Sequence, residues 1–155
     1  RVALFSTGDE IVEPGTPRPD AAIYDANRYL LSGMLERLGA LFEDPATPRV
    51  TLLVGHDSNI GSVLAALGIS DYTLPGQYEK TPIGGLLQFE RWRDRRSGGG
   101  RFRLAYVYPT TAQLRDALPL TEAQPPGRVV LPLRGCDPVG CSSVQFQQLL
   151  QRAHR

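Results

Sequence analysis

Apolar positions along the chain follow two different periods, and the period changes near the middle. Val50, Thr51, Leu52, Leu53 and Val54 form a β-rich apolar run that ends in Gly55, His56 and Asp57. An apolar stretch from Ile60 to Leu67 follows at helical length. The pattern predicts a buried strand over 50–54, a sharp turn and a buried helix. Upstream, residues 2–5 form a shorter apolar run and predict another buried strand. Tyr24, Asp25, Ala26 and Asn27 open a second helical pattern, with Tyr29, Leu30, Met34, Leu35 and Leu38 at helical spacing and Gly39 as its expected stop. The order strand, helix, strand, helix predicts a right-handed parallel βαβ unit.

Beyond residue 85 the period shortens to two. Residues 86–93 and 102–108 alternate like half-buried strands, and a flexible charged loop with Gly98, Gly99 and Gly100 separates them. An antiparallel hairpin is expected there. Arg128 to Leu131 offers a further strand, and Gln113 to Ala117 a short helix or turn. Ser142 or Ser143 can cap a last helix carrying Phe146, Leu149 and Leu150. Pro14, Pro17 and Pro19 exclude regular structure over 13–19, and Asp44, Pro45 and Pro48 mark 41–49 as a connector. The expected fold class is therefore α/β: a small, partly parallel βαβ sheet with an appended antiparallel hairpin.

Composition narrows the function classes. A chain of 155 residues is long enough for one domain with a real core. A net charge of +1 with mixed signs gives no reason to expect a nucleic-acid partner. No apolar run is long enough to cross a membrane, and no signal peptide is visible. The chain opens on Arg1, directly in a strand pattern, which predicts a fragment or a processed product. Cys136 and Cys141 do not have the spacing of a redox pair, and with only two histidines in the chain they make a poor zinc site, so no metal and no cofactor are expected. A local disulfide between them would close a small loop and imply an oxidising compartment; two reduced cysteines in a turn are the alternative.

Candidate chemistry sits where the 50–54 run ends. Ligands of open α/β sheets bind beyond the carboxyl ends of strands, and helix N-termini attract anions. His56 and Asp57 would meet there. Asp57, Ser58 or Asn59 could equally serve only as an N-cap. The segment Thr81, Pro82, Ile83, Gly84 and Gly85 reads first as a turn that sets up the strand at Leu86, with glycines that allow close backbone approach. Trp92, Tyr106 and Tyr108 read as sheet packing, and Arg91, Arg93, Arg95 and Arg96 as a solvated strand end and loop.

From about residue 41 to the end, the chain resembles the C-terminal part of the histidine acid phosphatases, and most of all their bacterial periplasmic members that act on sugar phosphates. The resemblance is carried by Leu53 to Ile60, by Gln77 to Gly85, by Gln88 to Trp92, by Tyr106 to Tyr108 and by the Cys136/Cys141 pair. It implies a phosphomonoester hydrolase working through a phosphohistidine on a phosphorylated small-molecule substrate, in the periplasm. His56 would contact the phosphate, and Asp57 would be the general acid that protonates the leaving oxygen. A phosphate dianion nearby favours the proton-bearing carboxyl that this role needs. Thr81, Gly84 and Gly85 would support the phosphate pocket. The family's nucleophile lies in an Arg-His-Gly-x-Arg-x-Pro motif, and no Arg-His-Gly occurs in this sequence. The only other histidine is His154, one residue from the last. A missing N-terminal portion and little turnover from the chain alone are therefore expected.

Residues 1–40 resemble a different family, the molybdopterin molybdenumtransferases of molybdenum cofactor synthesis. Ser6 to Val12, Pro14, Gly15 and Ile23 to Tyr29 carry the likeness, and Ala26 stands where that family usually has serine. It implies a pterin site near Asp9, Glu10 and Asn27 and a cytoplasmic location; otherwise Asp9 and Glu10 lie in a solvated turn and Asn27 caps a helix. The chain thus reads as a hybrid of two segments, 1–40 and 41–155, joined in one compact unit. A non-catalytic anion-binding α/β domain is the third reading.

Overall fold

A computed structural model describes residues 50–93, 95 and 98–153, and within the first 49 residues only 11, 12, 17, 23, 24, 33, 36, 39–42, 44 and 46. The expected strand over 2–5 and the helix positions Tyr29, Leu30, Met34, Leu35 and Leu38 lie outside the described residues.

The α/β class holds: helices and strands are mixed, around an antiparallel sheet. Strands β1 (Ile11–Val12) and β2 (Ile23–Tyr24) form a two-residue parallel ladder, so Tyr24 belongs to a strand rather than to the start of a helix. Helix α1 spans Asp57–Ala66. Strands β3 (Leu86–Arg93) and β4 (Gly100–Tyr108) form the expected hairpin, with Leu86 opposite Val107 and Arg93 opposite Gly100. A short helix α2 (Thr111–Arg115) leads to β5 (Gly127–Leu131), then β6 (Cys141–Ser142) and helix α3 (Ser143–Ala153).

Strand β4 is the organising element. Its first edge pairs with β3 throughout. Its second edge is divided: residues 104–108 pair with β5, and Arg101 and Phe102 pair with β6. Alternation places Phe102, Leu104, Tyr106 and Tyr108 on the inner face, all buried. Phe146, Leu149 and Leu150 of α3 and Val63, Leu64 and Ala66 of α1 complete the core with them. Phe102 and Phe146 stack with ring centroids 4.5 Å apart.

The caps explain the element boundaries. Gly68 at φ +73°, with Ile69 N–H donating to Leu64 O at 2.9 Å and Gly68 N–H to Ala65 O at 2.9 Å, ends α1 in a Schellman motif. Gln145 N–H donates to Ser142 Oγ at 3.3 Å while Ser142 N–H donates to Gln145 Oε1 at 2.8 Å, so Ser142 is the cap of α3. The same reciprocal box joins Thr110 and Gln113 and moves the short helix upstream of its expected start. Cys136 and Cys141 form a disulfide. Gly140, at φ +118°, lies so close to β4 that a Cβ would meet Phe102 O at 2.6 Å.

Three expectations are corrected. Gly39 does not end a helix: residues 39–42 are all helical. The helix is drawn onward because Phe42 packs edge-on against Phe102 at 5.2 Å and Phe146 at 5.5 Å. Arg91 Nη1 donates to Phe42 O at 2.8 Å, so this arginine serves a helix end rather than the solvent alone. The larger correction concerns residues 50–54. They are extended but belong to no strand, and no backbone hydrogen bond satisfies them among the described residues. Val50, Leu52 and Val54 are 84%, 78% and 91% exposed. Helix α1 is held by the buried Val63, Leu64 and Ala66, while its first turn and the preceding chain stand clear of the core.

Candidate functional site

Helix α1 begins at the end of this exposed ribbon, and its first turn is built by local bonds. His56 is the N-cap, with extended backbone at φ −108° and ψ 170°, rather than Asp57, Ser58 or Asn59. His56 N–H donates to Asn59 Oδ1 at 2.8 Å. That side chain also explains Gly55, because a Cβ there would meet Asn59 Oδ1 at 2.9 Å. Asp57 is the first helical residue, and its Oδ1 accepts from Ser58 N–H at 2.8 Å. A carboxylate there complements the positive end of the helix dipole. The imidazole of His56 and the carboxyl of Asp57 thus leave the chain side by side, both exposed. The arrangement sets a carboxyl group and an imidazole ring beside each other at a helix N-terminus, open to solvent.

The 81–85 segment is the turn that the sequence suggests. Gly85 N–H donates to Pro82 O at 2.9 Å, and Gly84 at φ +73° takes the third position, where a type II turn demands positive φ. Gly85 is packed tightly: a Cβ would meet both Pro82 O and Tyr106 Cε1 at 2.9 Å. Thr81 is half-buried beside it. No hydrogen bond or ion pair joins His56 or Asp57 to residues 81–85 among the described residues. Asp9, Glu10 and Asn27 lie outside those residues. No group of three or more metal-ligating side chains occurs among the described residues, and no helix among them is long and apolar enough to cross a membrane.

Sequence reasoning missed the support of the turn. Tyr106 lies fully buried beneath Gly85, stacked on Tyr72 with centroids 5.8 Å apart. Its hydroxyl has no hydrogen-bond partner among the described residues. Burial, then the neighbouring Tyr72, pushes the Tyr106 phenol up to about 12. Tyr72 Oη donates to Lys80 O at 2.9 Å, and Lys80 Nζ lies 5.6 Å from the Tyr72 ring centre. The alternation of β4 was enough to point Tyr106 inward; nothing around Tyr72 marked it.

Comparison with known proteins gives the site its context. No family model matches the chain. The fold is shared with the phytase of Citrobacter braakii, at a TM-score of 0.71 and 28% identity over 83% of this chain and 36% of that one. This is the α/β fold of the histidine acid phosphatases. The homologues are glucose-1-phosphatases and phytases of that family, and they cover part of the chain. Glucose-1-phosphatase of Salmonella typhimurium is 50% identical over 91 residues, which is 59% of this chain and 22% of that protein. The phytase of Escherichia coli is 39% identical over 108 residues, 67% of this chain and 25% of that protein. The chain spans about a quarter of the length of these curated relatives. A separate likeness links it to the molybdopterin molybdenumtransferase of Haemophilus influenzae, 47% identical over 38 residues, 24% of this chain and 9% of that protein.

Proposed function

We propose that this chain is the C-terminal part of a histidine acid phosphatase that hydrolyses phosphomonoesters such as sugar phosphates. The observation that carries the reading is the 50% identity to a glucose-1-phosphatase. The exposed His56–Asp57 pair at the start of a ten-residue helix supports it. A histidine nucleophile, supplied by polypeptide outside this sequence, attacks phosphorus while the bond to the leaving oxygen breaks. Asp57 gives its proton to that oxygen, and His56 holds a phosphate oxygen with help from the helix N-terminus. Water then cleaves the phosphohistidine and regenerates the nucleophile. Thr81, Gly84 and Gly85 support the pocket from the turn. We place the protein in the periplasm, and the disulfide agrees with an oxidising compartment.

The test is an aryl phosphate assay at acid pH. The chain alone is expected to give no turnover above background. Turnover that His56→Ala abolishes would show that the chain carries a complete site and would defeat the incompleteness of this reading.

The likeness of 38 residues to a molybdenumtransferase favours a second reading for the first segment. Residues 1–40 then derive from a pterin-binding domain, with Asp9, Glu10 and Asn27 near its site, and residues 41–155 from the phosphatase, in one compact unit. Molybdopterin binding that Asp9→Ala weakens is the expected sign; equal binding by the variant speaks against that site.

A further inference from the structure

We propose that the space bounded by Phe42, Phe102, Phe146 and Leu150 is a binding site for a small aromatic carboxylate. A cavity of about 180 Å³ lies there, where the helical residues 39–42, the β3–β4 hairpin and helix α3 meet. Three rings form its wall. Phe102 and Phe146 stack at 4.5 Å, and Phe42 stands edge-on to both, at 5.2 and 5.5 Å. Phe102, Phe146 and Leu150 are buried, so this wall is apolar and held by the core. Arg91 and Ser143 also line the cavity. A Cβ at Gly100 would meet Ser143 Oγ at 2.8 Å and Arg91 Nε at 3.8 Å, so the hydroxyl and the guanidinium converge over that glycine. Ser143 is the first residue of α3, which brings the positive end of that helix to the same place.

Size and chemistry together select the ligand. An apolar cavity of about 150 Å³ accepts benzene, whereas pockets for drug-sized molecules begin near roughly 300 Å³. One ring with a short substituent fits, and a nucleotide does not. Phenylalanine walls receive such a ring on its face and edge. The guanidinium fixes the charge of the substituent, because an arginine stays protonated and its planar fork matches a carboxylate. Arg91 is already held in position: Nη1 donates to Phe42 O at 2.8 Å, and Cζ lies 5.9 Å from the Phe102 ring centre. His56 and Asp57 do not line this cavity, so the proposal stands apart from the phosphatase reading.

The experiment titrates the full chain at neutral pH with benzoate, with benzyl alcohol and acetate as controls, and reads both the melting temperature and NMR contacts of the benzoate ring. Expected are a saturable rise in melting temperature with benzoate and cross-peaks from its ring protons to Phe102 and Phe146. Benzyl alcohol should bind about tenfold more weakly, and acetate not detectably. Arg91→Met should weaken benzoate about tenfold and leave benzyl alcohol unchanged, so the neutral probe reports that the cavity of the variant is intact. Gly39→Leu should block both probes. A Cβ at this lining position meets Leu150 Cδ1 at 3.6 Å, an ordinary contact, so the larger side chain is accommodated and takes up the space. Equal binding of benzoate and benzyl alcohol, untouched by Arg91→Met, would mark an apolar packing gap and overturn the proposal. Absence of saturable benzoate binding, or cross-peaks to other residues, overturns it as well.

Discussion

At Tyr106 a hydroxyl is buried without a partner among the described residues, an arrangement that costs free energy rather than supplying it. Tyr106→Phe keeps the ring and removes the orphan oxygen, so the melting temperature should stay level or rise. The same group sets an alkaline limit. Its folded value near 12 lies above the ordinary 10.0, so the unfolded chain loses this proton first. Stability is full below about pH 10 and should fall as pH rises toward 12; in Tyr106→Phe this part of the alkaline loss should disappear. Glu90 behaves in the opposite sense. Burial resists its ionisation, but the indole of Trp92, Arg128 and Arg103 donate to it at 2.9, 2.7 and 3.0 Å and together hold its carboxyl below the ordinary range. Its contribution is present above that range and is lost as pH falls through the lowered value. Glu90→Gln should cost roughly 1–3 kcal/mol at neutral pH and flatten the acid limb of a thermal stability profile.

Among the elements, those whose partners lie close in sequence were legible in advance. The β3–β4 hairpin, its inward Tyr106 and Tyr108, and the serine cap of α3 follow from alternation and capping chemistry within a few residues. Two features were not legible, because their cause is distant. The helix runs on through Gly39 because Phe42 is received by Phe102 and Phe146, some 60 to 104 residues away. Phe42→Ala should therefore lower stability by roughly 1–3 kcal/mol in chemical denaturation, despite lying in what reads as a connector. Residues 50–54 carry the pattern of a buried strand, but pattern reports what a segment can pair with and not whether a neighbour is present. His56 and Asp57 do open helix α1, but extended chain rather than a strand precedes them; that His56 itself is the cap depends on Asn59 reaching back to its N–H, which residue type alone did not indicate.

For the molecule as a whole, the disulfide is the covalent link between the loop after β5 and strand β6. Cys141 is completely buried in β6, and Cys136 packs on the core from the preceding loop. The closed loop is short, so chain entropy gives about 2 kcal/mol. Cys136→Ala with Cys141→Ala should lower the melting temperature accordingly, and reduction of the native chain should do the same. Arg101 and Asp137, 3.6 Å apart at the surface, add little to this link.

The divided edge of β4 gives that link a further meaning. One half of the strand leans on β5, and the other half on two residues of β6, the first of which carries the bridge. Cutting the bridge loosens only the second half, where Phe102 meets Phe146 and receives Phe42. A reducing environment should therefore turn one cooperative melting event into two, with α3 and the helical residues 39–42 leaving first while the hairpin and β5 persist. The redox state of the compartment would then decide which end of the chain a protease reaches first.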